Sequence, residues 1–389
     1  MSVYKGVDYY NLEALLTQDE ILVRNSTRDF VNSQIAPHIE KHYMEGIFPL
    51  EIVPALADLG VLGMTFPQQY GCAELSNVAY GLVMQELERG DSGIRSFASV
   101  QNGLVMYPIF KFGIDDQKEY WLPKLANATK IGCFGLTEPD FGSNPSGMKT
   151  KAEKVDSGFL INGTKMWITN GSIADVAIIW AKLDGIIRGF LVEKEFKGFK
   201  THRMSGKLSL RASDTSELIL EDVFVPENNI LPKSNGLRSP LMCLNQARFG
   251  IAWGVVGSMI ACYETARNYA LTRIQFGKPI ASYQLIQSKL VTILTEITKA
   301  QLLVYHLSKL KDQNKAKHTH ISLAKRNNCE KALEIARIAR EILGANGITN
   351  EYPIMRHANN LESVKTYEGT HEMHTLIIGE DITGISAFE

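Results

Sequence analysis

The spacing of apolar residues changes twice along this chain, and this change limits the possible fold more than any other feature. Over residues 11–125, apolar side chains recur every three or four positions, which is the period of an amphipathic helix. Over residues 131–232 they form short β-branched and aromatic runs, which are typical of strands. Helical spacing returns after Pro240. The sequence therefore predicts a mainly α protein with a central β domain.

The middle part contains turn signals at short intervals. Asn162-Gly163, Asn170-Gly171 and Asp184-Gly185 are dipeptides that tight hairpins favour, because these residue types tolerate a positive φ. We expect the three dipeptides to join neighbouring strands of an antiparallel sheet or barrel.

The last part carries the most regular helical pattern. Its apolar residues follow a 4-3-4-3-4-3 rhythm at Ile286, Leu290, Ile293, Ile297, Ala300, Val304 and Leu307. This rhythm predicts a helix with one face buried in a helical bundle. The three patterns together predict an N-terminal helical domain over residues 1–130, a middle β domain over 131–235 and a C-terminal helical bundle over 236–389.

Composition and charge exclude several classes of function. Of the 389 residues, 45% are apolar and 21% are charged, which is an ordinary globular balance. The formal net charge of −1 offers no basic surface to nucleic acid, and no stretch approaches 18 uninterrupted apolar residues. Neither nucleic-acid binding nor stable membrane association is expected. Because the N-terminus lacks a signal-peptide pattern, we expect a cytoplasmic protein of bacterial type, with a mature mitochondrial matrix form as the alternative.

The cysteines, glycines and histidines argue against other common sites. The five cysteines are scattered and never spaced C-x-x-C, so we expect buried thiols without disulfides or zinc. No two glycines are separated by a single residue, which removes the G-x-G-x-x-G dinucleotide fingerprint. In residues 142–150, Met148 moves the lysine out of Walker A register. His371 and His374 are three residues apart with no third ligand cluster, so no metal site is expected.

Glu368 is the candidate for a catalytic base. It lies where a helical stretch meets a sharp Gly-Thr edge, although most glutamates in helices are merely solvated. Three other segments add weight to it. Residues 135–143 offer hydroxyls and backbone N–H groups, residues 165–170 place an indole beside a hydroxyl, and residues 344–347 let the backbone approach a ligand closely. Turns and packed aromatic residues explain each segment alone equally well, so only their joint order points to a ligand site.

Taken together, these segments resemble the acyl-CoA dehydrogenase family from about residue 15 to the end of the chain. The similarity is narrower, to the glutaryl-CoA dehydrogenase branch, in residues 132–139, 243–254, 325–329 and 382–388. The fold that this resemblance implies is an N-terminal helical domain, an antiparallel β barrel or sandwich, and a C-terminal four-helix bundle.

The resemblance implies FAD as the cofactor, and no protein side chain accepts hydride. The same subunit is expected to hold FAD through Phe134, Leu136, Thr137, Gly142, Ser143, Trp167, Ile168, Thr169 and Thr370. A neighbouring subunit is expected to reach it through Arg273, Gln284, Glu341, Gly344 and Ala345, and Phe276 and Phe388 complete the expected contacts. A site divided between subunits implies an oligomer, which the resemblance makes a homotetramer.

The resemblance also assigns the substrate residues. Glu368 is the implied base, and Arg95 is expected to bind the terminal carboxylate of glutaryl-CoA, with Ser96 and Tyr367 beside it. Glu88 lies about two helical turns before Arg95 if the helix continues, so the two side chains are expected to pair in the empty enzyme. The CoA part is expected to contact Ser143, Leu241, Asn245, Arg248 and Gly369.

The implied activity is oxidation of glutaryl-CoA with loss of CO₂ to give crotonyl-CoA, and the implied electron acceptor is an electron-transferring flavoprotein. Three alternatives stay open: a non-decarboxylating glutaryl-CoA dehydrogenase, an enzyme for another short or branched acyl-CoA, and a binding protein that keeps the scaffold without catalysis. Asn144, Phe141 and Ala345 depart from the family pattern, which puts the flavin affinity in question.

Overall fold

The computed structural model describes residues 7–388 and begins with a helical unit, as the apolar spacing predicts. Its helices are α1 (Gln18–Phe30), α2 (Ile39–Glu45), α3 (Val53–Asp58), α4 (Asn77–Gly90), α5 (Ser92–Ser99), α6 (Tyr107–Phe112) and α7 (Asp115–Ala126). Helix α1 starts with a capping box, because the Thr17 hydroxyl accepts from the Glu20 N–H and the Glu20 carboxylate accepts from the Thr17 N–H.

Helices α4 and α5 are separated by a break at Asp91. This residue is extended, and its carboxylate accepts from the Gly93 N–H at 2.7 Å, which caps α5. Arg356 and Asn360 donate to the same carboxylate at 2.6 and 2.9 Å, so the break is fixed from outside. After α5 the chain continues through a π-helical segment (Val100–Met106) into α6. The break turns α5 into a new direction, which decides where Arg95 lies.

The middle unit is one curled sheet of seven strands. The strands are β1 (Gly132–Gly135), β2 (Lys151–Val155), β3 (Gly158–Thr169), β4 (Val176–Leu183), β5 (Ile186–Glu193), β6 (Phe199–Arg203) and β7 (Thr215–Pro226). Their order is β1-β4-β2-β3-β7-β6, with β5 on the other edge of β4. Most pairs are antiparallel as expected, but β4 pairs in parallel with both β1 and β2. Hairpin signals do not reveal this pairing, because parallel neighbours are not joined by a short turn.

One of the three turn dipeptides joins adjacent strands in the expected way. Asp184 and Gly185 connect β4 to β5, and their φ angles of 51° and 80° suit a tight hairpin. Asn162-Gly163 is instead inside β3, at a shift in the register with β7. Asn170-Gly171 follows β3, but the next strand, β4, is not its hairpin partner. The prediction of hairpins was therefore wrong at these two places.

The last unit is a helical bundle with a small hairpin. Its elements are α8 (Arg238–Thr272), β8 (Ile274–Gln275), β9 (Lys278–Pro279), α9 (Gln284–Asp312), α10 (His318–Ile342), α11 (Ile354–Thr366) and α12 (His371–Thr383). The rhythm in α9 is confirmed, since five of its residues are buried: Ile293, Ile297, Ala300, Val304 and Leu307. Helix α8 has the length and apolarity of a membrane span, but 89% of its most apolar window is buried, as in a core helix.

The predicted unit boundaries at 130/131 and 235/236 fall in connecting segments. Helix α7 ends before β1 begins at Gly132, and β7 ends at Pro226 before α8 begins at Arg238. Residues 1–6 and residue 389, which the predicted outer units include, lie outside the described residues. One apolar core unites helices α2 to α5 with α8, α9, α10 and α11, whereas α6 and α7 pack into a second core with the sheet. The polar groups of the candidate site are buried where the helices of the first core meet.

Candidate functional site

Glu368 lies in a short turn between α11 and α12. The φ angles of Glu368 and Gly369 are 53° and 99°, so two consecutive residues are in left-handed regions. The next residue, Thr370, caps α12, because its hydroxyl accepts from the Met373 N–H at 3.2 Å. A Cβ at position 369 would lie 3.0 Å from Nε2 of His374 and 3.1 Å from Arg248, which explains the glycine. The backbone of the turn is therefore held in an uncommon conformation.

One oxygen of the Glu368 carboxyl group is shielded from water. This atom, Oε2, is buried and has no hydrogen-bond partner within residues 7–388. Burial raises the pKa of Glu368 to about 7, although Arg95, Arg248 and Lys325 act to lower it. A carboxyl with a pKa near neutrality and a free oxygen is suited to accept a proton from a weak carbon acid.

Arg95 and Glu88 form a fully buried ion pair. The distance from Arg95 Nε to Glu88 Oε2 is 2.5 Å, and the two side chains are 1% and 0% exposed. The sequence suggested a pair within one continuous helix. The break at Asp91 instead places Glu88 on α4 and Arg95 on α5, so the pair joins two helices. Ser92 donates to the second oxygen of Glu88 at 2.9 Å, which leaves this carboxylate well satisfied.

Arg95 also reaches the turn that carries Glu368. Its guanidinium donates to the Tyr367 hydroxyl, and the ring of Tyr367 lies 5.8 Å from the guanidinium carbon. Ser96, the neighbour of Arg95, is buried at 3% exposure. A buried cation and an unpartnered carboxyl thus share one interior region. The structure joins Glu88, Arg95 and Tyr367 through direct contacts, and Ser96 and Glu368 follow Arg95 and Tyr367 in the chain.

Gly254 of α8 makes room for this ion pair. A Cβ at this position would lie 2.2 Å from Glu88 Oε2 and 2.9 Å from Arg95 Nε. We expect Gly254→Ala to displace the pair and to lower the free energy of unfolding by about 1–3 kcal/mol, which is the usual cost of overpacking. Thermal unfolding measures this change. Gly379→Ala in α12 is the control, since nothing lies within 4 Å of its Cβ, and equal loss in both variants would contradict the explanation.

The residues expected to bind CoA lie on α8 and in two loops. Leu241, Asn245 and Gly369 are partly buried, and Ser143 is exposed. Arg248 is 8% exposed and donates from Nε to the Glu368 carbonyl at 2.7 Å. Its Nη1 lies 3.4 Å from Asn245 Oδ1. Arg248 therefore supports the backbone of the Glu368 turn in this structure, a role that the sequence did not suggest.

Eight of the nine residues expected to hold FAD within one subunit lie at the ends of β1 and β3 or in the loop after β1, whereas Thr370 caps α12. The side chains of Phe134, Leu136 and Ile168 are buried in the protein core, so contacts from these positions would use the backbone. Thr137 and Thr169 are partly buried, and Gly142 is exposed. Trp167 has a φ of 63°, and a positive φ is rare for a side chain of this size. Its side chain is also 63% exposed. An exposed indole at a strand end fits a planar ring system.

A buried ion pair behind this region was missed by sequence reasoning. Glu138 binds Lys165 at 2.9 Å, and its carboxylate also accepts from the N–H groups of Lys149 and Thr150 at 2.7 and 2.9 Å. Lys165 donates further to the Leu136 carbonyl at 3.2 Å. These bonds tie both ends of the 136–150 loop to β3. The sequence contains an acid in residues 135–143 and a base in residues 165–170, but these two segments were singled out for their hydroxyl, indole and backbone N–H groups. The charged pair was therefore overlooked.

The residues expected to reach FAD from a neighbouring subunit are on the surface of the bundle. They are all exposed, and the set consists of Arg273, Gln284, Glu341, Gly344 and Ala345. Phe276, which is also expected to contact FAD, is 93% exposed. Glu341 pairs with Lys289 at 2.7 Å. Phe388, near the C-terminus, is 45% exposed. Their exposure is compatible with contact to a second subunit.

The remaining polar candidates do not form a metal site. Within residues 7–388, no three His, Cys, Asp or Glu side chains are grouped as ligands. His371 lies 3.1 Å from Glu330, and His374 is buried with burial lowering its pKa to about 2. The five cysteines are buried and free, as expected.

Comparison with known proteins identifies similar chains over almost the whole length. Three family models match, described as the N-terminal, middle and C-terminal domains of acyl-CoA dehydrogenase, over residues 17–129, 133–223 and 234–383. A crystal structure of a glutaryl-CoA dehydrogenase from Mycobacterium smegmatis in complex with FADH₂ is 49% identical, with a TM-score of 0.98 and 100% of both chains covered.

Two further proteins show the range of this similarity. A structure of a glutaryl-coenzyme A dehydrogenase with glutaryl-CoA is 34% identical, with a TM-score of 0.91 over 95% of this chain and 96% of that one. The mitochondrial 2-methylacyl-CoA dehydrogenase of Solanum tuberosum is 34% identical over 381 residues, which are 96% of this chain and 92% of its own.

Proposed function

This chain belongs to the acyl-CoA dehydrogenase family, and we propose that it catalyses the oxidative decarboxylation of glutaryl-CoA to crotonyl-CoA and CO₂. The observation that carries this proposal is the buried Arg95 cation beside the unpartnered carboxyl of Glu368. A guanidinium is costly to desolvate, and an acyl chain that ends in a methyl group makes no interaction that requires one. A dicarboxylic acyl chain does require a cation, because its terminal carboxylate is charged.

FAD is the cofactor, and when bound it accepts the hydride that leaves Cβ of the acyl chain. Glu368 is proposed to remove the proton from Cα. Its raised pKa of about 7 makes it a stronger base than an ordinary carboxylate, and its free Oε2 atom can receive the proton. The Glu368 N–H is proposed to donate to the thioester carbonyl, which would stabilise negative charge as the proton leaves.

Arg95 is proposed to bind the terminal carboxylate. The Glu88 carboxylate and the Tyr367 hydroxyl hold the guanidinium from two sides, so its orientation is fixed before the substrate binds. Ser96 lies next to it in sequence and is proposed to contact the same carboxylate. Solved relatives whose names contain glutaryl-CoA dehydrogenase support this choice of substrate.

Loss of CO₂ is proposed to follow oxidation. The new Cα–Cβ double bond is conjugated with the thioester, so the bond from Cγ to the carboxyl carbon can break with its electron pair delocalised into a dienolate. The protonated Glu368 then returns its proton to Cγ, which gives crotonyl-CoA and restores the carboxylate. One group thus serves both proton transfers, and its pKa near 7 suits each direction.

Two kinds of partner belong to this proposal. Arg273, Gln284, Glu341, Gly344 and Ala345 are proposed to complete the FAD site of a neighbouring subunit in a homotetramer, and Phe276 would be covered by the same contact. Several large apolar side chains are exposed on the bundle near these positions, including Leu285, Val291 and Ile348. An electron-transferring flavoprotein is proposed as the acceptor that reoxidises the enzyme.

An anaerobic single turnover with glutaryl-CoA tests the proposal. We expect the visible flavin absorbance to fall, with one crotonyl-CoA and one CO₂ formed for each flavin reduced. Reduction without CO₂ would indicate a non-decarboxylating dehydrogenase. Reduction by butyryl-CoA or 2-methylbutyryl-CoA but not by glutaryl-CoA would show that Arg95 serves another purpose.

A further inference from the structure

The turn that carries Glu368 requires support from the rest of the protein. Glu368 has a φ of 53°, a left-handed conformation that an L-residue with a side chain adopts at a cost in free energy. Gly369 follows with a φ of 99°. Such a conformation persists only when surrounding contacts determine it. The contacts that do so are therefore as important for the direction of the carboxyl group as the residue itself.

Lys325 of α10 provides most of these contacts. Its ammonium donates to three backbone carbonyls, those of Lys365 at 3.2 Å, Tyr367 at 2.9 Å and Gly369 at 2.7 Å. Lysine has three N–H donors, so this set uses all of them. The residue is 1% exposed. Helix α11 ends at Thr366, where carbonyls lack partners within the helix and carry partial negative charge, and the ammonium compensates for both.

The acceptors of Lys325 lie on both sides of Glu368. Tyr367 precedes it and Gly369 follows it, and the carbonyl of Glu368 itself accepts from Arg248 Nε at 2.7 Å. Three successive carbonyls are therefore fixed by two buried cations on different helices, α10 and α8. With the backbone fixed in this way, the direction in which the Glu368 side chain leaves the turn is fixed.

The charged and titratable groups around Glu368 come from five helices and the turn itself. They are Tyr80 of α4, Arg95 of α5, Arg248 of α8, Lys325 and Cys329 of α10, Tyr367 of the turn and His374 of α12. Among the cations, Arg95 binds the side chains of Glu88 and Tyr367, whereas the hydrogen bonds of Lys325 all go to this backbone segment. Burial lowers the pKa of Lys325 to about 8, which leaves it mostly protonated at neutral pH.

We propose that Lys325 is a positioning residue for the base: by binding the carbonyls on both sides of Glu368 it holds the left-handed turn and aims the carboxyl group at the acyl-CoA. Its positive charge also favours the ionised form of Glu368, the form that removes the proton. This inference rests on the proposed function only in taking Glu368 as the base. It does not depend on which acyl-CoA is the substrate.

The test compares Lys325→Met with the wild-type, FAD-loaded enzyme. Flavin reduction is followed anaerobically across pH with whichever acyl-CoA reduces the wild type fastest. We expect Lys325→Met to lower the limiting rate by about 100-fold, the effect of a misplaced catalytic group, while the apparent affinity changes little. The pKa of the rising limb of the pH profile is expected to move upward, because a cation that favours the carboxylate has been removed. A purely structural lysine would not move this limb.

Two further variants complete the experiment. Lys325→Gln keeps N–H donors without the charge, so it is expected to recover part of the rate while keeping the shifted limb, and it decides the question if Lys325→Met fails to fold. Lys331→Met on the same helix is the matched control, since Lys331 pairs with Glu334 at the surface. A folded Lys325 variant with the wild-type rate and pH profile would overturn the proposal. Wild-type rates in Glu368→Gln would instead overturn the assignment of the base.

Discussion

Glu368→Gln is expected to lower the rate of flavin reduction by acyl-CoA by about 10²–10⁴-fold, the usual contribution of a positioned general base. Glutamine has nearly the same shape, so the turn and its contacts with Arg248 and Lys325 remain, because both cations bind backbone carbonyls. The variant should fold and bind FAD, which its visible spectrum reports. Rapid mixing with substrate under anaerobic conditions measures the rate.

The control for this variant is Glu362→Gln on α11. Glu362 is exposed and pairs with Arg337 at 2.8 Å, so the replacement removes a carboxylate close in sequence but not from the interior. It is expected to keep the wild-type rate, since surface ion pairs contribute little. A positioned general base contributes at least about 100-fold to the rate. If Glu368→Gln retained more than about a tenth of the wild-type rate, another group would have to remove the proton.

The pH dependence provides an independent signature of Glu368. Because the base acts when ionised, the wild-type rate should rise through pH 7, the pKa to which burial raises Glu368, and the Gln variant should lack this limb. Stability should change in the opposite direction. The folded state favours the protonated carboxyl, so this stabilisation is complete below the ordinary pKa of 4.5 and is lost as pH rises through about 7.

The stability difference between these two proteins therefore depends on pH. A pKa raised from 4.5 to about 7 corresponds to at most about 3 kcal/mol. Thermal unfolding should show the Gln variant gaining stability over the wild type as pH increases from 5 to 8. A constant difference in stability across this range would mean that folding does not raise the pKa of Glu368.

The order of units and the pairing of Glu88 with Arg95 could be predicted from sequence, and the contacts that support Glu368 could not. Apolar periodicity identifies which face of a helix is buried, so five of the seven residues of the α9 rhythm are buried and the other two, Ile286 and Leu290, are partly buried. Periodicity does not identify which polar groups meet inside. Lys325 and Arg248 lie on long helices far from Glu368 in sequence, and only their hydrogen bonds to the turn reveal their role.

Glu88 and Arg95 show how a correct pair can have a partly wrong explanation. A separation of seven residues suggested one helix, but Asp91 ends α4 and caps α5. An Asp-Ser-Gly sequence is a plausible helix start, yet it needs Arg356 and Asn360 from α11 to fix it. The parallel pairing of β4 with β1 and β2 was missed for a similar reason, since it depends on distant strands. Local signals cannot specify contacts made by remote segments.

Removing the charge of Arg95 is expected to abolish the preference for a dicarboxylic substrate. The single variant Arg95→Gln would leave Glu88 buried without a counterion, which typically costs 3–5 kcal/mol in stability. The double variant Arg95→Gln/Glu88→Gln removes both charges and avoids this cost. In the double variant, kcat/KM for glutaryl-CoA should fall by about 30- to 4000-fold. This range corresponds to the roughly 2–5 kcal/mol that is typically lost when one partner of a buried charge pair, here the guanidinium that binds the substrate carboxylate, is removed.

The decisive quantity is the ratio of kcat/KM for glutaryl-CoA to that for butyryl-CoA. Butyryl-CoA lacks the terminal carboxylate but presents the same thioester, Cα and Cβ to Glu368, so its value should change far less in the double variant. The single variant Arg95→Lys, with Glu88 unchanged, is the matched comparison. It keeps a cation but loses the planar guanidinium, so it should retain part of the preference for glutaryl-CoA. An equal fall for both substrates would mean that Arg95 maintains the shape of the pocket rather than binding the carboxylate. A selective fall, with FAD still bound and the pH limb of Glu368 unchanged, is the result that a carboxylate-binding Arg95 requires.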